Sequence, residues 1–307
     1  MNEIYDLIII GGGPAGVAAG VYAARKKIKA MLITEHFRGQ SAVSGEIKNW
    51  IGDISISGEE LHKRFENHLK HYSSHIDIHE KELVTGISKV DNIFTIKTNK
   101  SEYKSKTVLI ATGNLRKKLP VKGAAMFEGK GITYCATCDA PMFGDADVAV
   151  IGGGNSAFEA VNQLLAYAKK IYIIQRSDFK AETITVHNIL ANPKVVGLPN
   201  VDLLEIKGDK FVSSLTYKNK NSEEIIELPV SGIFVEIGSN PSVEFIKNGL
   251  LNLDGTDQII VDPKTQKTSA SGVWAAGDCT NGLYRQNNIA VGDAIKAVED
   301  IYRFLKN

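Results

Sequence analysis

Two cysteines separated by two residues, Cys135 and Cys138, are the side chains best suited to chemistry, and an acid, Asp139, follows them directly. Thiols at this spacing can close into a small disulfide ring and reopen, so the pair can hold and release two electrons. Asp139 could be a turn or cap residue, or it could protonate a thiolate leaving group near neutral pH. We interpret the stretch as a redox-active dithiol with Asp139 as its candidate acid.

Metal binding and inert packing explain these residues less well. A zinc site needs two further ligands, and the chain offers only the distant Cys279 and no suitably spaced histidine. Inert core thiols would need neither the spacing nor the adjacent acid. His68, His71 and His75 could share a helix face, but a solvated polar face explains them better than a metal. Cys279 follows a strand and is expected to be a small buried apolar residue. No metal site is predicted.

A strand, a glycine-rich turn and a helix open the chain. An apolar run over residues 4–10 leads into Gly11, Gly13 and Gly16, with Pro14 and Ala15 between the last two. The first glycine permits the tight turn, the second admits a pyrophosphate, and the third lets helix pack on strand. The phosphates would rest on the helix N-terminus. Glu35, after a second strand over 30–34, is placed to hold a ribose hydroxyl.

A second copy of this pattern follows the cysteines. A strand over 147–151 enters another glycine turn, whose candidate binding residues are Gly152, Gly154, Asn155, Ser156 and Ala157. After the next strand, Arg176 and Lys180 stand where the adenosine ribose of a nucleotide should lie. A charged segment over 115–120 that ends in proline indicates a linker between two domains.

Composition narrows the class of protein. A chain of 307 residues suggests two domains, and 23% charged with 43% hydrophobic residues is typical of a globular protein. A net charge of +1 gives no reason to expect nucleic acid or an anionic membrane as a partner. No apolar run approaches the roughly 20 residues that span a bilayer. The first six residues carry two acids, Glu3 and Asp6, where a signal peptide would carry bases, and three cysteines exclude a secreted disulfide framework. We expect a cytoplasmic protein.

Taken together, the motifs resemble the low-molecular-weight thioredoxin reductases, including the related reductase component of alkyl hydroperoxide reductase, over essentially the whole chain. Both glycine turns and the Cys-x-x-Cys-Asp stretch carry the resemblance. Four further segments also match, namely Glu46-Ile47-Lys48-Asn49-Trp50, Ala111-Thr112-Gly113, Ala276-Gly277-Asp278 and Tyr284-Arg285-Gln286.

The resemblance implies an α/β fold of two Rossmann-like, three-layer domains, the second inserted into the first. An FAD-binding domain would comprise residues 1–114 and 239–307, and a pyridine-nucleotide-type domain with the cysteines would comprise 115–238. A homodimer is also implied. The implied FAD-binding residues are Gly11, Gly13, Pro14, Ala15, Gly16, Glu35, Gln40, Asn49, Thr112, Gly113, Gly277, Asp278, Arg285 and Gln286.

The resemblance also implies an activity. Reduced FAD would pass two electrons to the disulfide, with Cys138 next to the flavin, and Cys135 would attack a disulfide of thioredoxin or a similar small protein. The domains would alternate between two orientations about hinges near Leu115 and Gly238.

The electron donor is the point of departure from the family. NADPH-using members carry His-Arg-Arg and a further arginine after the strand that ends here at Ile174, whereas this chain has only Arg176 and Lys180, with Asp178 between them. The 2′-phosphate of NADPH calls for clustered cations. The free 2′-hydroxyl of NADH would instead be favoured by an acid at position 175, where this chain has Gln175. NAD(P)H is narrowly favoured because the glycine turn is complete, and reduced ferredoxin is the alternative.

Three other functions stay open. The second domain could serve mainly as a scaffold for the dithiol. The chain could be a dithiol oxidase that passes electrons through flavin to oxygen. It could also be a non-catalytic flavin-containing redox sensor.

Overall fold

The computed structural model describes residues 3–44, 47–246 and 249–307, and the chain divides into two compact units. Unit 1 comprises Met1–Ala42, Trp50–Leu115 and Asn240–Asn307. Unit 2 comprises Val43–Asn49 and Arg116–Ser239. At both boundaries between the units, these limits differ from the predicted domain limits by one residue. The segment 43–49 also differs, because it groups with unit 2. Glu46, in one of the motifs named above, lies outside the described residues.

Strands and helices alternate in the two glycine-turn regions, as the sequence predicts. The strands, in chain order, are β1 Ile4–Ile10, β2 Ala30–Thr34, β3 Ile76–Glu80, β4 Val84–Val90, β5 Ile93–Thr98, β6 Glu102–Ile110, β7 Asn114–Arg116, β8 Ile132–Thr133, β9 Asp147–Ile151, β10 Lys170–Ile174, β11 Val195–Leu198, β12 Val201–Gly208, β13 Val212–Asn219, β14 Ile225–Pro229, β15 Gly232–Val235, β16 Ser239–Pro241 and β17 Val273–Ala275. The α-helices are α1 Pro14–Arg25, α2 Gly58–Lys70, α3 Ala136–Asp139, α4 Asn155–Leu164, α5 Thr183–Leu190 and α6 Asn287–Phe304.

Unit 1 is built on a seven-stranded sheet in the order β3-β2-β1-β6-β5-β4, with β17 also paired to β6. β3, β2, β1, β6 and β17 run parallel, whereas β4 and β5 are antiparallel additions. The long β6 serves both partners, because its first half pairs with β5 and its last three residues pair with β17. The C-terminal part of the chain therefore completes the sheet that β1 begins.

The central strands of unit 1 are buried on both faces, which explains their continuous apolar sequence. Leu7 and Ile9 of β1 face one core, and Ile8 and Ile10 face the other. The first core also contains the alanine-rich faces of α1 and α6, whose small side chains let the two helices pack closely. Among the described residues, no helix combines the length and the apolar character that crossing a membrane would require.

Unit 2 repeats the parallel arrangement in the order β11-β10-β9-β15-β8. A separate antiparallel sheet, β12-β13-β14, shares one core with the inner face of the parallel sheet. Helix α4 and the second core cover the other face. The sheet thus lies between a helical layer and an antiparallel layer, with its carboxyl edge, where β8, β9, β10 and β15 end, carrying the turns.

Gly16 fixes the distance between α1 and the turn that precedes it. A Cβ atom at this position would lie 1.9 Å from the carbonyl oxygen of Gly11, which is backbone and cannot move away cheaply. Only glycine therefore allows α1 to leave β1 at this angle.

We expect Gly16→Ala to lower the free energy of unfolding by roughly 2–4 kcal/mol because the added methyl group forces the helix away from the turn. Gly292→Ala in α6 is a matched control, since nothing lies within 4 Å of its added Cβ. That control should gain up to about 1 kcal/mol from helix propensity. Chemical denaturation of both variants checks this, and equal effects would contradict it.

Candidate active site

Cys135 and Cys138 form a disulfide, with their Cα atoms 5.3 Å apart. Cys135 is the N-cap of the short helix α3, and the Cys138 backbone N–H donates to the Cys135 Sγ at 3.2 Å. Both residues are half-buried, so the disulfide is reachable from outside unit 2. The N–H aimed at the Cys135 sulfur would stabilise negative charge there once the disulfide is opened.

Asp139 is buried, with 8% of its surface exposed, directly after the two cysteines. Burial raises the pKa of its carboxyl group, while the hydrogen bond from the Thr133 hydroxyl group and the charge of Arg116 act in the opposite direction. The Thr133 Oγ1 also accepts from the Cys135 N–H at 3.4 Å. Thr133 therefore links the candidate acid to the disulfide.

Cys138 has a polar neighbour from the segment 43–49. The Asn49 side-chain amide donates to the Cys138 Sγ at 3.9 Å, a distance at the long limit for a hydrogen bond to sulfur. Cys279 has no comparable setting, because it is fully buried and burial raises the pKa of its thiol to about 11. The prediction that Cys279 is a buried residue without redox chemistry agrees with this position.

The predicted FAD-binding residues of unit 1, apart from Asn49, follow its parallel strands or begin its helices. Gly11 follows β1, Glu35 follows β2 and is exposed, Thr112 and Gly113 follow β6, and Gly277 and Asp278 follow β17. An added Cβ on Gly277 would touch Ala15 in α1 and Ala290 in α6 at 3.3 Å. Gln286 is the N-cap of α6, Arg285 is exposed beside it, and Gln40 begins a 3-10 turn.

The start of α1 fits the pyrophosphate of FAD. The helix begins without a side-chain cap and without an acid in its first turn. Pro14 is its first residue, where the missing backbone N–H of proline removes no intrahelical hydrogen bond. The free backbone N–H groups of the first turn are therefore available to donate to the phosphates of a bound FAD. Gly13 leaves room, because its added Cβ would meet nothing closer than 4.0 Å.

A buried histidine, His62, supports the loop beside α1. The Gly39 N–H donates to the His62 Nδ1 at 3.4 Å, and the Ser41 Oγ lies 3.1 Å from Nε2 and donates to the Asn287 Oδ1 at 3.1 Å. Burial lowers the pKa of His62 to about 4, and the charges of Arg38 and His36 act in the same direction. A neutral ring thus joins the loop to the start of α6. His68, His71 and His75 are exposed, as predicted, whereas the neighbouring His62 is buried.

The start of α4 in unit 2 has the same features as the start of α1. Gly154 is an N-cap without a side-chain bond, and the first turn of the helix carries no acid. Ser156 is exposed at this end, Ala157 is buried beneath it, and the Asn155 Oδ1 accepts from the Glu182 N–H at 3.1 Å. Gly152 and the start of α4 form a cradle that fits a pyrophosphate. We call residues 152–154 and the first turn of α4 the α4 cradle.

The loop after β10 offers little for a 2′-phosphate. Gln175 packs below the cradle, since an added Cβ on Gly153 would lie 2.7 Å from its Cγ. Its amide bonds back to its own loop, accepting from the Arg176 N–H at 3.2 Å and donating to the Ser177 Oγ at 3.3 Å. Arg176 and Lys180 are exposed, and Asp178 accepts from Asn200. The two cations are thus not assembled into a bidentate clamp.

Four residues of these sites escaped the sequence analysis. Thr133 precedes the cysteines by two residues, Arg116 lies in the predicted linker, and His62 belongs to none of the motifs. Glu236 directly follows the apolar strand β15, and an acid next to such an apolar run is a signal in itself. Among the described residues, no cluster of His, Cys, Asp and Glu could hold a metal ion.

Comparisons with known proteins agree with this geometry. The model of the family described as pyridine nucleotide-disulphide oxidoreductase matches residues 5–294. The chain belongs to this family. Its members are FAD-dependent disulfide oxidoreductases whose cofactors are FAD and a pyridine nucleotide. The predicted family, fold class and FAD cofactor are confirmed.

This chain covers nearly the whole length of some relatives and only part of others. A thioredoxin reductase of Peptoclostridium litorale is 36% identical over 97% of this chain and 96% of the relative. The crystal structure of thioredoxin reductase from Streptococcus pyogenes MGAS5005 superposes with a TM-score of 0.94 at 32% identity, over 100% and 99% of the two chains. An NADH dehydrogenase of Bacillus subtilis (strain 168) is 34% identical over 99% of this chain, but the chain spans only 59% of that relative.

The raised pKa of Asp139 predicts a pH-dependent stability. The folded protein holds a proton that the unfolded chain releases above pH 3.8, so this acid contributes less stability as pH rises through the folded pKa. In urea unfolding at pH 4.5, 6 and 8, the free energy of unfolding of Asp139→Asn should increase relative to that of the unmodified protein as the pH approaches 8. The exposed Asp145→Asn is the control, and it should follow the unmodified protein. A pH-independent difference for Asp139→Asn would contradict a raised pKa of the Asp139 carboxyl group.

The lowered pKa of His62 predicts the opposite trend. The unfolded chain binds a proton near pH 6.5 and the folded protein only near pH 4, so stability is lost as pH falls through this window. Between pH 7 and pH 5 the loss should be about 2 kcal/mol. His62→Gln should lose correspondingly less, and the exposed His68→Gln should lose as much as the unmodified protein. Unfolding curves with flavin fluorescence as a second probe test this, and indistinguishable losses would refute it.

Proposed function

We propose that this protein is a thioredoxin-disulfide reductase, in which electrons pass through Cys135 and Cys138 to the disulfide of thioredoxin or a similar small protein. The observation that carries the proposal is a half-buried Cys-x-x-Cys disulfide with a buried acid directly after it and a hydroxyl group between the two. Inert or metal-binding cysteines would need no such acid.

The exchange step uses the residues of unit 2. The Cys135 thiolate attacks a sulfur of the partner disulfide, forming a mixed disulfide and releasing one partner thiolate, to which Asp139 supplies a proton. Cys138 then attacks the Cys135 sulfur, which re-forms the internal disulfide and releases the second partner thiol. Two electrons leave the protein for each partner disulfide. When FAD is bound and has been reduced by the electron donor, it would supply the two electrons that open the internal disulfide again.

The α4 cradle and the loop after β10 are the features that bear on the electron donor. The cradle supports binding of a pyridine nucleotide, so NADH or NADPH is the favoured donor. Reduced ferredoxin is the second candidate, because Arg176 and Lys180 are exposed and not clustered for a 2′-phosphate. A homodimer in the cytoplasm completes the proposal.

Anaerobic mixing of the purified holoenzyme with NADPH, NADH or reduced ferredoxin tests the donor through bleaching of the flavin absorbance. Fast bleaching of the flavin by micromolar nucleotide would exclude ferredoxin as the electron donor. Peroxide formed from a small dithiol without any nucleotide would favour the oxidase, and absence of thioredoxin-coupled turnover with every donor would favour a sensor.

The two cysteines should be indispensable for turnover but not for binding FAD. We expect Cys135→Ser and Cys138→Ser each to lower thioredoxin-coupled turnover by at least about 10³-fold, because a lone thiol cannot complete the exchange. Bleaching of the flavin by the donor should persist in both. The control, Cys279→Ala, removes a buried thiol and should keep its turnover. Full turnover in Cys138→Ser would exclude the proposed electron route.

A further inference from the structure

Glu236 is an acid at the wall of the α4 cradle. It follows β15 directly, and the register that pairs Val235 with Ile151 places it beside Gly152. The Glu236 N–H donates to the Ile151 carbonyl oxygen at 2.8 Å. An added Cβ on Gly152 would lie 2.3 Å from the Glu236 carbonyl oxygen. The backbone of Glu236 therefore packs against the first glycine of the turn, and its side chain is half-buried there.

Two charged groups act on the Glu236 carboxyl group. Arg116, at the end of β7, favours its charged form, and Glu159, in the second turn of α4, disfavours it. Burial has the largest effect, and the pKa of Glu236 is raised to about 7. Arg116 also acts on Asp139, so a single cation serves an acid near the cradle and an acid near the disulfide. The Glu236 charge is therefore incompletely compensated.

A pyridine nucleotide would bring a second negative charge to this place. Its pyrophosphate is the group that the start of α4 is built to hold, and a carboxylate at the wall of the same cradle repels it. A neutral carboxylic acid does not, and it can donate a hydrogen bond. Binding and protonation then favour each other to the same extent.

We propose that Glu236 takes up a proton when a pyridine nucleotide binds in the α4 cradle, so that this positioning residue sets nucleotide affinity through its protonation state. The inference rests on the proposed function, because it requires a nucleotide to bind. The step is a proton transfer without electron transfer: an O–H bond forms on the Glu236 carboxyl group as a bond to hydrogen breaks in the proton donor. The proton comes from solvent, and it leaves again when the nucleotide dissociates.

Calorimetric titration of the oxidised holoenzyme with ADP-ribose tests the proposal. This probe has the pyrophosphate but no nicotinamide ring and no titrating 2′-phosphate. Repeating the titration in buffers of different ionisation enthalpy counts the protons taken up. With a pKa of about 7 in the free protein, we expect about 0.1, 0.5 and 0.9 protons at pH 6, 7 and 8, and a dissociation constant that rises roughly 30-fold from pH 6 to pH 8.5.

Three variants sharpen the test. Glu236→Gln should take up no proton and should bind ADP-ribose with an affinity that does not change between pH 6 and pH 8.5. Arg116→Met should move the midpoint of proton uptake to higher pH, because it removes the cation that favours the Glu236 carboxylate. Glu224→Gln is the matched control, since it removes an equal charge from an exposed position beside β14 and should behave like the unmodified protein.

Each outcome separates this inference from the proposed function. ADP-ribose binding without proton uptake by the unmodified protein would overturn the role of Glu236 and leave disulfide reduction untouched. Absence of binding at every pH would also overturn it, and turnover with reduced ferredoxin would then show that the dithiol works without a nucleotide. Unchanged proton uptake in Glu236→Gln would assign the proton to another group.

Discussion

Parallel pairing in register is the constraint on which both candidate sites depend. Ile10, Ile110 and Ala275 are aligned across β1, β6 and β17, so the chain leaves all three strands at one edge of the unit 1 sheet. In unit 2, Ile151 is aligned with Ile174 and Val235 in the same way. Residues far apart in the sequence therefore meet where the glycine turns are. No long-range contact between side chains is needed to bring them together.

The same physical effect controls the titrating groups at both edges. Burial is the largest cause of the raised pKa of Asp139 and Glu236 and of the lowered pKa of His62. This effect has opposite directions on the pKa of acids and of a base, and in each case it favours the uncharged form. An uncharged acid can give up a proton or tolerate an anion, and an uncharged imidazole can accept a backbone hydrogen bond. Exposure of these side chains to water would remove all three properties.

Local patterns account for what the sequence predicted correctly. Glycine spacing, apolar runs and the Cys-x-x-Cys pair are properties of short segments, and they located β1, α1, β9, α4 and the disulfide. Thr133, His62 and Glu236 were not identified because their roles come from burial and from partners distant in the sequence. His62 shows the difference most clearly, since it lies among exposed histidines and only its packing below Gly39 distinguishes it. The grouping of segment 43–49 with unit 2 likewise has no local signal.

The discontinuity of unit 1 has a consequence for how the chain folds during synthesis. Its sheet needs β17, and the core around α1 needs α6, so two elements from the last 35 residues must leave the ribosome before that core can close. Apart from segment 43–49, unit 2 is one uninterrupted stretch, and it emerges while unit 1 still lacks those elements. The nascent chain therefore carries an open, apolar half-domain ahead of a finished one, which is the kind of surface that chaperones bind.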